Sequence, residues 1–301
     1  MNVALTAGFE ARVRRDEPMS KHTSWRVGGP ADAFFTPRDR EDLAAFLRSL
    51  PAGMPLTWVG LGSNLLVRDG GIRGVVICTH GAFTRLERVS ETGVHCDAGV
   101  PCARLARQCA RWGLGDADFF AGIPGTFGGA LAMNAGAYGG ETWRFVVSVE
   151  TIDRGGRMQR RAAGDFRVGY RRVEPPVPGE WFLSAELRFG RRQPEQVARV
   201  RELAERRKQT QPLGEASCGS VFTNPPGDHA ARLIEAAGLK GARRGGAVVS
   251  EKHANFIINE GAASARDIEE LIELVRATVQ QVHGVTLEPE VRIIGEAPHA
   301  T

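Results

Sequence analysis

The run AGIPGTFGGALAMNAGAYGGE, residues 121–141, restricts the fold more than any other stretch of this chain. Seven of its twenty-one residues are Gly, five are Ala, and Glu141 is its one formal charge. A segment so poor in large side chains builds little core, so its backbone must be approached closely by something else. Gly122, Gly125, Gly128 and Gly129 fall within eight residues, and Pro124 stiffens the first bend. Two readings follow: a loop packed tightly on a neighbouring sheet, or a surface shaped to receive a ligand.

A second glycine-rich loop, GLGSNLL at 60–66, lies between two strand-like runs. Gly60, Gly62, Ser63 and Asn64 can expose a cluster of backbone N–H groups, which binds phosphate because the amides bring partial positive charge without bulky Cβ atoms. A simple tight turn is the plainer reading. No Gly-Lys-Ser/Thr follows, so it is not a P-loop, and it is not a GxGxxG opening a helix. Two such loops in one domain together suggest the pyrophosphate and flat ring of a dinucleotide.

The surrounding pattern predicts a helix over 39–50, short strands at 56–60 and 72–79, and then mainly strands, at 85–90, 94–100, 145–152 and 181–189. One helix interrupts them at 101–113, with Pro101 in its first turn and Gly113 just past its end. Helices and strands do not alternate regularly, so the fold class is α+β rather than a doubly wound sheet. A charged helix at 194–210 leads into a different region, with a helix at 228–238, a strand at 254–259, a helix at 264–283 and a last strand at 291–295. In the long helix Ser264 and Asp267 form a capping-box start, Ile268, Leu271, Ile272, Val275, Val279 and Val282 line one face, and Gly284 ends it. The expected divisions are 1–80, 81–195 and 196–301.

At 301 residues, 42% hydrophobic and 25% charged, the chain can bury a sizeable core and is not disordered. It lacks the ~18 uninterrupted apolar residues of a membrane helix and a charged, then apolar, secretory start, so a cytoplasmic protein without a membrane partner is expected. Its five Cys, at 78, 96, 102, 109 and 218, include no CxxC pair, which argues against a disulfide framework and a thiolate metal site. No metal is expected. The net charge of +4 comes from scattered Arg doublets without interleaved aromatics, which favours an anionic small molecule over nucleic acid.

Tyr170, Arg171, Lys208, Ser220, Asn224 and Glu290 supply a phenol, two cations, a hydroxyl, an amide and a carboxylate, residue types suited to proton chemistry on an anion. Spacing alone does not make them a site. His253, in EKHANFIIN, reads as a core histidine.

Seven ordered blocks change their weight. HTSWRVGGPAD (22–32), GLGSNLLV (60–67), AGIPGTFGGALAMNAGAYGGE (121–141), VGYRR (168–172), QPLGEASCGSVFTNP (211–225), AGLKGARRGGAVVSEKHANFIIN (237–259) and EPEVRIIG (288–295) resemble the UDP-N-acetylenolpyruvoylglucosamine reductase family in its compact form. The resemblance implies a two-subdomain FAD-binding domain of the vanillyl-alcohol-oxidase type, then a substrate domain. By position it implies FAD contacts from Arg26, Gly28 and Gly29, from Gly60, Gly62, Ser63, Asn64 and Leu65, and from Gly122, Ile123, Pro124, Gly125, Thr126, Gly128, Gly129 and Ala130. Residues 60–66 contain no His, so non-covalent FAD is expected.

The implied reaction is NADPH-dependent reduction of UDP-N-acetylglucosamine enolpyruvate to UDP-N-acetylmuramate by a monomer. Arg171 and Glu290 match the family's catalytic Arg and Glu, Ser220 its proton donor, and Lys208, Asn224 and Tyr170 its substrate contacts. Val173, Thr223 and His22 depart from the usual Ser, basic residue and Asn. Glu288, two residues before Glu290, would share its face if the segment were a strand. A flavin oxidase of the same fold and a non-catalytic nucleotide-binding protein are the competing readings.

Overall fold

The computed structural model describes residues 8–193, 202, 205 and 207–298. Most of the expected helix at 194–210 lies outside the described residues; 202, 205 and 207–210 are helical.

Three sheets organise the chain. The first has the order Arg14–Pro18, Pro30–Phe35, Ile72–Cys78, Leu56–Val59, with the first pair antiparallel and the other two parallel. The helix Arg40–Ser49 lies in the crossover that leads from Pro30–Phe35 to Leu56–Val59, and residues 60–71 make the second crossover, to Ile72–Cys78. Asp39 caps the helix by accepting from Asp42 N, and its buried Leu43, Phe46 and Leu47 pack on Phe35, Val75 and Ile77. Phe35 and Phe46 stack with ring centroids 3.8 Å apart.

The second sheet is antiparallel throughout, in the order Met158–Ala162, Val146–Asp153, Glu180–Arg188, Gly93–Asp97, Leu86–Arg88. One face takes the helix Cys102–Arg111 and the short helix Phe127–Ala132, burying Leu105, Cys109, Phe120, Phe127 and Leu131 against Cys96, Val149 and Leu187. Pro101 stands at the N-cap of the first of these helices rather than inside its first turn. The three central strands of this sheet join the first unit through Trp58 stacked on Trp181 at 4.9 Å and through Arg40, which pairs with Asp97 at 2.8 Å and with Glu150.

The third unit is a small sheet of Arg243–Arg244, Ala247–Val249 and Ile257–Asn259, packed with the helices Ala230–Ala236 and Ala265–His283. The long helix starts on the expected capping box, with Asp267 N donating to Ser264 Oγ at 3.0 Å and Ser264 N to Asp267 Oδ2 at 2.8 Å. Gly284 closes it with a left-handed φ of 70°. Ile268, Leu271, Ile272, Val275 and Val279 are buried as expected, but Val282 is 55% exposed, because the last turn runs beyond the core it covers.

Two long-range contacts tie this unit back to the others. Trp25, fully buried, sits in the C-terminal core with Nε1 donating to Ile257 O at 2.7 Å, and Asn259 Nδ2 returns a bond to Trp25 O at 2.8 Å. The last strand, Arg292–Ile294, pairs in parallel with Leu65–Val67, the end of the first glycine-rich loop. That pairing brings the C-terminal strand against the loop. Among the described residues no helix is long and apolar enough to cross a membrane.

Candidate active site

The two glycine-rich loops meet and wall one cavity of about 400 Å³. A Cβ at Gly60 would collide with Thr126 Oγ1 and one at Gly125 with Ser63 Oγ, so bare backbone is what lets the loops close on each other, while one at Gly62 would strike the His22 carbonyl. Gly60, Gly62, Ser63, Asn64 and Leu65 from the first loop line the cavity, with Gly122, Ile123, Pro124, Gly125, Thr126, Gly129 and Ala130 from the second. Among the described residues, the N–H groups of Ser63, Asn64, Thr126 and Gly129 donate to no acceptor. They form the concavity of partial positive charge that a pyrophosphate needs. Beside Gly129 the space is open, since an added Cβ would meet only Thr126 Oγ1, at 3.9 Å. This cradle of bare amides fits a flat ring and a diphosphate.

Not every predicted cofactor residue lies there. Arg26, Gly28, Gly29 and Gly128 are absent from the wall. Gly28 is pressed on Val67, Gly29 on the Asp69 backbone and Gly128 on Ala98, so close packing accounts for the missing side chains at these three positions. Arg26 is exposed, with a left-handed φ of 59°.

Against the loops, a polar cluster is gathered from three distant segments. Tyr170 and Arg171 form the tip of a hairpin between Arg167–Gly169 and Arg172–Glu174. Arg171 takes a left-handed φ of 56°, which is costly for a long side chain. Three hydrogen bonds hold it there: Nε to Glu290 Oε1 at 2.9 Å, Nη2 to Gly136 O at 3.1 Å and Nη1 to Asn134 O at 3.3 Å. Asn134, itself buried, donates to Gly169 O at 3.1 Å and so docks the hairpin on the opening run.

Glu290 precedes the last strand and reaches the cavity because Asn64 Nδ2 donates to its carbonyl at 3.0 Å. Burial pushes its carboxyl pKa above the ordinary carboxylate value, and the Arg171 partner only partly opposes this. The group can therefore hold a proton nearer to neutrality than a surface Glu. Glu288 is exposed, lies off the wall and is not on a regular strand, so the face-sharing expected of a strand does not arise.

Ser220 lines the cavity on the segment Cys218–Phe222. Asn224 is also on the wall, and its Oδ1 accepts from Ala230 N at 3.1 Å, capping the start of the helix Ala230–Ala236. Lys208 is exposed and off the wall, while its neighbour Arg207 and Gln211 are on it, joined by Arg207 Nε to Gln211 Oε1 at 2.8 Å. Tyr138 is on the wall, but sequence reasoning passed over Asn255 and Arg292 as wall residues. Both lie inside the quoted blocks, so block membership was the available signal. His253 is half-buried, its pKa lowered by burial, and packs edge-on to Phe256 at 4.8 Å, as a core histidine does. Val173 packs on the second unit's core.

A family model described as FAD binding domain matches residues 31–161, and one described as UDP-N-acetylenolpyruvoylglucosamine reductase, C-terminal domain, matches residues 211–294. A UDP-N-acetylenolpyruvoylglucosamine reductase of Alkalilimnicola ehrlichii is 62% identical over 287 residues, covering 95% of each chain. The chain belongs to the UDP-N-acetylenolpyruvoylglucosamine reductase family. A second reductase of the family, from Methylococcus capsulatus, is 57% identical over 93% of this chain and 92% of its own. The solved structure of the family's member from Thermus caldophilus superposes with a TM-score of 0.81 at 34% identity, covering 94% of this chain and 98% of that one. The α+β class with an FAD-binding domain is that of the family, and FAD is its cofactor.

Proposed function

We propose that this FAD-dependent oxidoreductase reduces the enolpyruvyl ether of UDP-N-acetylglucosamine enolpyruvate to UDP-N-acetylmuramate, with NADPH as electron donor. It acts on a CH–CH group as a cytoplasmic monomer, in peptidoglycan precursor synthesis, and its partners are small molecules. Residues 1–80 and 81–195 hold FAD without a covalent link, and 196–301 carry the substrate side. The observation that supports this most is the meeting of Arg171, Ser220 and Glu290 on the cavity that both glycine-rich loops wall.

FAD, held by the two glycine-rich loops, would supply the two-electron chemistry, as acceptor of hydride from NADPH and donor of hydride to the terminal alkene carbon of the substrate. Negative charge then spreads into the substrate carboxylate. Arg171 offers a fixed cation there, and Glu290, the catalytic carboxyl beside it, orients that cation by accepting a hydrogen bond from Arg171 Nε, its own pKa raised by burial. The attraction to Arg171 strengthens as the charge develops, which is the differential binding that lowers a barrier. Ser220 gives its proton to the ether-bearing carbon, forming the second new C–H bond and completing saturation of the alkene, and recovers a proton from solvent. A serine hydroxyl is a weak acid, adequate because the carbanion-like species is a strong base. Asn224 and Tyr170 contact the substrate from the wall, and Lys208, exposed beside the wall residue Arg207, faces its anionic portion from the rim.

The purified protein should be yellow, and NADPH should bleach it anaerobically. Adding the enolpyruvyl substrate without oxygen should restore the colour. Restoration by oxygen alone would instead point to an oxidase.

A further inference from the structure

The segment that carries Ser220 is fixed by one buried side chain. Asn255 lies on the cavity wall and is 4% exposed. Its Oδ1 accepts from Phe222 N at 3.0 Å, and its Nδ2 donates to Phe222 O at 2.8 Å. Its carbonyl also accepts from Val221 N at 2.9 Å. The side-chain amide thus engages both backbone groups of Phe222, as a neighbouring strand would, where no regular strand runs.

The other edge of the same segment holds Glu290. Val221 O accepts from Glu290 N at 2.8 Å and from Val291 N at 3.4 Å. Asn255, Val221 and Glu290 therefore form one continuous chain of backbone contacts, with Ser220 adjacent to its middle member. Asn255 is itself oriented from behind: its N–H donates to His253 Nδ1 at 3.3 Å, an imidazole whose pKa burial lowers.

We propose that Asn255 is a positioning residue for the proton-transfer step, setting the Ser220 hydroxyl relative to Glu290 through the backbone of Val221 and Phe222. The inference rests on Ser220 being the proton donor. Asn255 acts through that backbone and has no chemical part of its own. Its effect belongs to the half-reaction in which substrate reoxidises the flavin. Reduction of the flavin by NADPH needs no protein proton donor at that place and is independent of it.

The test is anaerobic stopped-flow of both half-reactions in Asn255→Ala and in the milder Asn255→Ser, each with its flavin content measured. Displacement of a reacting group by about 1 Å costs on the order of 10²-fold. Flavin reduction should therefore stay within about twofold, while reoxidation by the enolpyruvyl substrate falls about 10²-fold in Asn255→Ala and less in Asn255→Ser, with kcat changing and KM nearly constant. Equal slowing of both half-reactions, or no slowing of reoxidation in flavin-loaded variants, overturns the proposal. Ser220→Ala run alongside separates the two claims: if that variant turns over normally, the proton-donor reading fails, whatever Asn255 does.

Discussion

Arg171 Nε and Glu290 Oε1 lie 2.9 Å apart although they are 119 positions apart in the chain, and this pair joins the hairpin tip at 170–171 to the segment before the last strand. The guanidinium also spans two carbonyls, so its planar fork fixes three acceptors at once. Arg171→Lys keeps the charge but not the fork. Steady-state assays should show kcat reduced by about 10²–10³, the range for losing one preorganised donor, in protein that still carries flavin by its visible absorbance.

The glycines separate into two roles that substitution can distinguish. Gly129 borders open cavity, so Gly129→Val should lower FAD affinity by about 10- to 100-fold, the equivalent of the ~1–3 kcal/mol of overpacking, with apoprotein Tm unchanged. Gly29 faces the Asp69 backbone, so Gly29→Ala should lower Tm while folded protein keeps its flavin affinity. Fluorescence titration with FAD and thermal melts on both variants check this.

His95 predicts a pH dependence of stability. Its Nε2 lies 3.0 Å from Asp97 Oδ1 and its Nδ1 3.0 Å from Glu186 Oε1, and only the imidazolium can donate to both. The Asp97 hydrogen bond, aided by Glu186, raises its pKa above the ordinary 6.5 despite burial. A raised folded-state value means this stabilisation is complete below the unfolded value and is lost as pH rises through the folded one. Relative to His95→Gln, the unaltered chain should lose about 1.5 °C of Tm as pH goes from about 6 to 9, the size of ~1 kcal/mol in a chain of 301 residues. Parallel melting curves that keep a constant gap would contradict this.

What could be read from sequence divides along a physical line. Features fixed by neighbours in the chain were legible: the Ser264–Asp267 box, the apolar stripe from Ile268 to Val279 and the glycine-bare loops. Features fixed by distant partners were not. Trp25 gives no local sign that it completes the C-terminal core, and Asn134 and Asn255 look like ordinary polar residues until their backbone partners are placed. The strand Arg14–Pro18 was missed because its burial does not alternate. Arg171, Ser220 and Glu290 were named through resemblance, since no spacing in the sequence brings them to one cavity.

The most direct measurement is Ser220→Ala followed through both half-reactions without oxygen. General acid catalysis contributes about 10²–10⁴-fold. NADPH should bleach the variant's flavin at the unaltered rate, while the enolpyruvyl substrate restores its colour about 10²–10⁴-fold more slowly. Restoration at the unaltered rate would contradict the account, because the proton would then come from another group.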